Sequence, residues 1–185
     1  TDMNVASSCG WAKHIVEEFR SAVRFGFSGI HMDTYGFPKR IWDAEHRPVE
    51  LADEFPHLID AAAQAVREEA ADGGVIFNAV NNWPTETVAA AAQDAVYIEV
   101  WPPHDTYFDL YRLIREARLL SHRNVILAAY LKAFQGEDMD AAERSFRLAW
   151  AVISASGGTQ LVLGENRSLL RDSYYVNYAH LRESF

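Results

Sequence analysis

The chain has 185 residues, of which 49% are hydrophobic, and carries a formal net charge of −9 at pH 7. This composition supports a sizeable core and excludes a disordered chain. The acidic balance, without a Lys/Arg-rich run, argues against a nucleic-acid partner, and no stretch approaches the roughly 20 apolar residues that span a bilayer. A single cysteine, Cys9, excludes an internal disulfide and a metal cluster built from cysteines alone.

Helix-period segments and short apolar strands alternate along the whole chain. The first half predicts a helix over 11–25, a strand over 27–33, a loop over 34–52, a helix over 54–71 and a strand over 75–80. The second half predicts a brief helix from 84, a strand over 96–101, a helix over 107–117, a strand over 125–131, a helix over 142–153 and a strand over 159–164. Five helix–strand units in one order predict a parallel α/β sheet covered by helices.

Such a sheet is either open and doubly wound or part of a (β/α)8 barrel. Polar or acidic residues recur at the carboxyl ends of the strands, where barrel enzymes place their sites, and this favours the barrel. These residues are Asp33, Asn78 or Asn81, Glu99, Tyr130 or Lys132, and Glu165. A nucleotide-binding sheet is disfavoured because neither a G-x-G-x-x-G turn nor a P-loop is present.

Five strands cannot close a barrel of eight. We therefore expect residues 1–185 to form the C-terminal portion of a catalytic (β/α)8 TIM barrel, with about three strands missing upstream. On its own, such a chain would expose sheet edges and apolar helix faces.

Asp33 and Glu99 are the candidate catalytic pair. Alternation along a strand places His31 and Asp33 on one side, and Tyr97, Glu99 and Trp101 on one side of another strand, with aliphatic residues opposite. The aliphatic sides suit the helix layer, so both acids are expected to face the barrel axis from next-but-one strands. Cleavage of a glycosidic bond needs two such carboxyl groups. Either acid alone would equally well be a helix cap or a solvated loop residue.

Five segments, in order, carry a family resemblance: Gly-Phe-Ser-Gly-Ile-His-Met-Asp-Thr (26–34), Phe-Asn-Ala-Val-Asn (77–81), Tyr-Ile-Glu-Val-Trp-Pro (97–102), Leu-Val-Leu-Gly-Glu (161–165) and Tyr-Tyr-Val-Asn-Tyr (174–178). The set resembles glycoside hydrolase family 66, the dextranases and cycloisomaltooligosaccharide glucanotransferases. The resemblance implies a retaining mechanism on α-1,6-linked glucan, with Asp33 as nucleophile and Glu99 as acid/base. Ser28 departs from it, because an acidic residue is common there. The polymeric substrate implies a secreted or cell-surface protein, and no cofactor or metal is expected.

Six further residues are predicted to contact the sugar. Asn amides can bridge hydroxyl groups, and aromatic rings can stack on pyranose faces, although buried packing is an equal alternative for each tryptophan. The predicted contacts are Asn78, Asn81, Trp83, Trp101, Tyr130 and Glu165.

Three alternatives stay open. The resemblance implies that cyclising transferases carry a long sugar-binding insert in the barrel, and the plain spacing between Glu99 and Glu165 therefore favours a dextranase. A metal hydrolase would use His31, Asp33, Glu99 and His104, but no H-x-H or H-E-x-x-H spacing supports it. A non-catalytic carbohydrate-binding barrel fragment is favoured by the short length.

Overall fold

The computed structural model describes residues 5–6, 9–34, 36–135 and 138–161. Apart from a hairpin within residues 34–52, the helices and strands follow one another along the chain in the predicted alternation. They are α1 (Gly10–Phe25), β1 (Gly29–Met32), β2 (Arg40–Trp42), β3 (Pro48–Glu50), α2 (Leu51–Glu69), β4 (Gly74–Asn78), α3 (Thr85–Val88), β5 (Ala95–Val100), α4 (Tyr107–Ser121), β6 (Val125–Ala129), α5 (Met139–Ala155) and β7 (Gly158–Gln160). In this described part of the chain, every helix is too short or too polar to cross a membrane.

Five of the strands form one parallel sheet. Its order is β1-β4-β5-β6-β7, so each helical crossover returns the chain beside the preceding strand of the sheet. The predicted parallel α/β sheet is therefore confirmed, while its closure into a barrel stays a prediction. Gly29 allows the close approach of β1 to β4, because a Cβ atom on it would lie 2.3 Å from the carbonyl oxygen of Gly74.

The predicted loop over 34–52 is partly wrong. β2 and β3 pair antiparallel within it and form a separate two-stranded sheet. Ile41 is buried, whereas its strand neighbours Arg40 and Trp42 are exposed. Three residues of alternation are too few to distinguish a strand from a loop in the sequence. Between the strands, the backbone N–H of Arg47 donates to Asp43 and holds the pKa of that carboxyl below its usual range.

The helices cover one face of the parallel sheet. On β5, the side chains of Val96, Ile98 and Val100 are at most 1% exposed and pack in one core with residues of α4, α5 and β6. A second core, which includes Phe55 and Phe77, joins α1 and α2 to β1 and β4. The predicted alternation is confirmed, because these aliphatic residues face the helices.

The opposite face carries larger polar and aromatic side chains. A small cluster there contains Tyr97, Ala128 and Tyr130, with Ile76 and Trp101 packed against it. The predicted acids share this face. Backbone alternation, set by burial on the helix side, thus determines which side chains meet on the other side.

α4 begins at a capping box that fixes the connection leaving β5. Thr106 Oγ1 accepts the backbone N–H of Asp109 at 3.1 Å, and the Asp109 carboxylate accepts the backbone N–H of Thr106 at 3.1 Å. The two side chains also bond to each other, and the Thr106 hydrogen bond lowers the pKa of the Asp109 carboxyl. These bonds satisfy N–H groups that the first helical turn leaves without partners.

Candidate active site

Asp33 and Glu99 meet at the side chain of Asn78. Asp33 follows the last residue of β1, Asn78 ends β4 and Glu99 is the fifth residue of β5. The amide nitrogen Nδ2 of Asn78 donates to Asp33 Oδ1 and to Glu99 Oε2, each at 2.8 Å. Because β4 lies between β1 and β5, it brings this amide between two carboxylates that are 66 residues apart in the chain.

The shared donor limits the separation of the two acids. Asp33 Oδ1 and Glu99 Oε2 each lie 2.8 Å from the same nitrogen, so the distance between them is at most twice 2.8 Å, or 5.6 Å. The two N–H bonds of an amide diverge by about 120°, which corresponds to roughly 4.8 Å between the acceptors. Both carboxyl groups can therefore reach a single bond of a substrate.

The surroundings of the two acids differ. Asp33 is exposed and accepts a second hydrogen bond, from the backbone N–H of Thr34 at 2.9 Å. Thr34 in turn donates its hydroxyl to the backbone carbonyl oxygen of Asn78 at 2.8 Å, which fixes the chain after β1 against the end of β4. Glu99 is half-buried on β5. One acid thus stands at the surface and the other within the sheet.

Several aromatic side chains lie on the same face of the sheet as Glu99. Trp101, two residues beyond it, packs on Tyr130 with a distance of 4.6 Å between ring centroids. Tyr97 contacts His31 edge-on, with a distance of 4.8 Å between ring centroids. On the other side of Asp33, a cavity of about 290 Å³ extends toward α1 and α2, and His31 and Thr34 also line it. Asp33 therefore borders this cavity, and the aromatic cluster lies on the same face of the sheet as Glu99.

The residues of the metal-hydrolase alternative do not form a metal site in the described part of the chain. Within the described ranges, no three His, Cys, Asp or Glu side chains are grouped so that they could hold a metal ion. His31, Asp33, Glu99 and His104 consequently form no such group.

Comparison with known proteins places the chain in a family. The family model of glycosyl hydrolase family 66 matches residues 2–181. The chain belongs to this family.

Relatives within the family carry two activities in their names. A cycloisomaltooligosaccharide glucanotransferase of Niallia circulans is 29% identical over 68% of this chain and 14% of its own length. A dextranase of Streptococcus salivarius is 29% identical over 66% of this chain and 16% of its own. The chain thus spans less than one fifth of these curated relatives.

A solved structure of a similarly named enzyme has a similar fold. The crystal structure of a Paenibacillus sp. cycloisomaltooligosaccharide glucanotransferase, complexed with cycloisomaltoheptaose, matches 69% of this chain and 19% of that chain. The TM-score is 0.64 and the sequence identity is 27%.

The side chain of Asn81 supports the backbone of this family 66 chain. Its Oδ1 accepts the backbone N–H of Trp101 at 2.8 Å, and its Nδ2 donates to the carbonyl oxygen of Pro102 at 3.4 Å. Asn81 has a left-handed backbone, with φ of 52°, which asparagine tolerates better than most residues. Both ends of the amide are therefore engaged in fixing the chain after β5.

The other predicted sugar contacts lie in different environments. Trp83 packs edge-on against Phe55, at 5.8 Å between ring centroids, beside the core under α1 and α2. Tyr130 is only 2% exposed, whereas Trp101 is half-buried beside it. Glu165 lies outside the described residues. Trp101 is thus the predicted aromatic that lies on the same face of the sheet as Glu99 and is only half-buried.

Sequence reasoning missed two features of the site. One is the role of Thr34, which a general rule indicates, because a Ser or Thr directly after a strand-end carboxylate commonly bonds to nearby backbone groups. The other is Asn78, for which the sequence predicts a sugar contact, whereas in the structure its amide bonds to both acids. The order of the strands indicates this position, because Asn78 ends the strand that lies between the two strands bearing the acids.

Proposed function

We propose that the protein is a retaining glycosidase that cleaves α-1,6-glucosidic linkages within dextran-type glucan, through a glucosyl-enzyme intermediate. The observation that carries this proposal is the shared hydrogen-bond donor, which keeps Asp33 Oδ1 and Glu99 Oε2 within 5.6 Å. Retaining enzymes hold their carboxyl groups about 5–5.5 Å apart, while inverting enzymes need about 6.5–9.5 Å to admit a water molecule. The substrate class follows from the names of the dextranase and glucanotransferase relatives.

In the first step, an oxygen of Asp33 attacks the anomeric carbon while Glu99, as an acid, protonates the departing glycosidic oxygen. The carbon–oxygen bond breaks and its electron pair stays on the leaving oxygen. In the second step, Glu99 takes a proton from water, and the water oxygen displaces Asp33 from the anomeric carbon. The exposed position of Asp33 suits attack on an incoming sugar.

We further propose that the five-stranded sheet is the C-terminal portion of a (β/α)8 barrel in a secreted or cell-surface protein. All three groups of the site lie at the carboxyl ends of adjacent strands, where barrel enzymes carry their catalytic residues. The face opposite the helices bears Tyr97, Trp101 and Tyr130 and would line the barrel interior. An α-glucan polysaccharide or oligosaccharide would bind across this rim.

A second candidate is a cyclising glucanotransferase. It is favoured by the similarity to the Niallia circulans and Paenibacillus sp. enzymes of that name. It would use the same intermediate, with a hydroxyl group of the bound glucan replacing water in the second step. The cyclising transferases are expected to carry a long sugar-binding insert in the barrel. β5, α4 and β6 follow one another with short connections, so no such insert interrupts this described part of the chain. We therefore favour hydrolysis.

The test uses the protein expressed from its complete coding sequence, with dextran as substrate. Asp33→Asn removes the nucleophile and should abolish cleavage, while Glu99→Gln removes the acid and should lower kcat by about 10²–10⁴-fold. Glu116→Gln, the same change at a half-buried residue of α4 that bonds to Arg112, should leave the rate unchanged. Linear isomaltooligosaccharides released first as the α-anomer would support a retaining hydrolase, and cyclic products would support the transferase.

Three outcomes would contradict the proposal. Wild-type cleavage by Asp33→Asn would remove the catalytic assignment, and release of the β-anomer would remove the retaining mechanism. Dextran binding by an unmutated protein that cleaves nothing would favour the non-catalytic module.

A further inference from the structure

Asn78 is held in a demanding position. The residue is 3% exposed at the end of β4, and its Nδ2 donates to both acids at 2.8 Å. Its Oδ1 is buried and accepts no hydrogen bond from the described residues. A buried acceptor without a partner opposes folding, so the two bonds on the other side of the amide must compensate for it.

The orientation of this amide follows from its neighbours. Rotating the amide by 180° would place Oδ1 against oxygens of Asp33 and Glu99, and three acceptors would then face one another. The donor side must therefore face the acids. The other titratable side chains on this face are His31 on β1, Tyr97 on β5 and Tyr130 directly after β6, and none of them hydrogen-bonds to Asn78.

The two hydrogen bonds from Asn78 distinguish the two oxygens of each carboxyl group. Asp33 Oδ1 accepts from Asn78 and from the backbone N–H of Thr34, whereas Oδ2 accepts from no described residue. Glu99 Oε2 accepts from Asn78, whereas Oε1 accepts from no described residue. In a carboxylic acid, the oxygen that accepts an N–H bond is preferentially the carbonyl oxygen, and the proton then resides on the other oxygen.

We propose that Asn78 is a positioning residue that orients both acids, so that Asp33 Oδ2 is the attacking oxygen and Glu99 Oε1 carries the catalytic proton. This inference rests on the proposed glycosidase function. In the first step, Oδ2 bonds to the anomeric carbon, the glycosidic bond breaks, and the leaving oxygen takes the proton from Oε1. In the second step, Oε1 takes a proton from water, the water oxygen bonds to the carbon, and the bond to Oδ2 breaks.

The experiment compares Asn78→Asp with Asn124→Asp in the protein expressed from its complete coding sequence. Both changes replace an amide by a carboxylate, but Asn124 is exposed at the start of β6, at the opposite end of the strands. Asn78→Asp removes both donors and adds a third negative charge, which opposes ionisation of the nucleophile. We expect kcat on dextran to fall at least 100-fold and KM to change less than threefold. We also expect the acid limb of the pH profile of kcat/KM to shift to higher pH by about one pH unit or more.

A second variant, Asn78→Ser, keeps the proposal testable if the first does not fold. Its hydroxyl group donates a single hydrogen bond and adds no charge. We expect kcat to fall at least tenfold, with the acid limb unmoved and an unchanged circular dichroism spectrum. Asn124→Asp should match the wild type in kcat and in pH profile.

The outcomes separate the two proposals. Wild-type kcat in Asn78→Ser, or wild-type kcat and an unmoved acid limb in folded Asn78→Asp, would overturn the positioning role. Inactivity of Asp33→Asn in the same assay would leave the glycosidase function standing. Activity of Asp33→Asn would instead overturn the glycosidase function itself.

Discussion

The two faces of β5 differ in what determines their side chains. Toward the helices, Val96, Ile98 and Val100 are at most 1% exposed within an apolar core. Toward the other side, Glu99 is half-buried and held by the amide of Asn78 from the neighbouring strand. The first face is specified by burial along one strand, whereas the second depends on the register between strands. The helix-covered face therefore contributes mainly stability, and the opposite face contributes a specific geometry.

The largest expected difference between the faces comes from Ile98→Ala. Ile98 is fully buried, and removing three of its carbon atoms should reduce the stability of this region by about 2–5 kcal/mol. The kcat of the folded molecules should stay close to that of the wild type. Hydrogen–deuterium exchange of the β5 and β6 amides measures the first effect, and dextran cleavage at low temperature measures the second.

Glu99→Gln is the matched change on the opposite face. It keeps the shape of the side chain and should change the free energy of β5 amide exchange by less than about 1 kcal/mol, while kcat falls by about 10²–10⁴-fold. The comparison fails if Ile98→Ala and Glu99→Gln reduce protection of β5 to the same extent.

A smaller effect is expected where β1 approaches β4. Gly29→Ala would place a Cβ atom 2.3 Å from the carbonyl oxygen of Gly74 and force the strands apart, at a cost of about 1–3 kcal/mol. Because Asp33 follows β1, kcat should decline as well. The measurement is amide exchange of β1 and β4 together with the cleavage rate.

Gly10→Ala provides the control for Gly29→Ala. A Cβ atom at Gly10 meets no atom within 4 Å, at the start of α1, so this change should be neutral or slightly stabilising. Equal destabilisation by the two substitutions would show that contact with Gly74 is not the cause.

The smallest effect concerns the capping box of α4. Thr106→Ala removes the hydrogen bonds to Asp109 and should reduce the stability of the first turn by about 0.5–2 kcal/mol, whereas Thr106→Ser should retain most of it. Amide exchange in the first turn of α4 measures this loss.

The same pair gives a prediction for acidic pH. The Thr106 hydrogen bond lowers the pKa of Asp109, so this contribution is complete above the pKa of the unfolded chain and is lost as pH falls through the lowered folded value. Thr106→Ala should therefore show a weaker loss of α4 protection on acidification than the wild type. An identical acid dependence in both proteins would contradict this account.

Much of the sheet could be predicted because burial repeats along each strand and helix. The alternation of Val96, Ile98 and Val100 with Tyr97 and Glu99 indicates which side faces the helices without any knowledge of neighbouring strands. The same alternation placed Asp33 and Glu99 on a common face. Their roles in catalysis stay predictions that the proposed variants test.

The roles of the asparagines could not be predicted in the same way. Both could have met a sugar hydroxyl group, but Asn78 bonds to two carboxylates and Asn81 bonds to the backbone of Trp101 and Pro102. These partners depend on strand register and on a left-handed turn, which one sequence does not specify. The β2–β3 hairpin was missed because three-residue strands give almost no periodic signal.

That hairpin has a practical consequence for engineering. Strands Arg40–Trp42 and Pro48–Glu50 pair with each other and not with the five-stranded sheet. On β2, only Ile41 is buried. The turn from Asp43 to Arg47 is stabilised by its own side chains. A reporter peptide or affinity tag spliced into this turn should consequently leave the alignment of β1 with β4 intact.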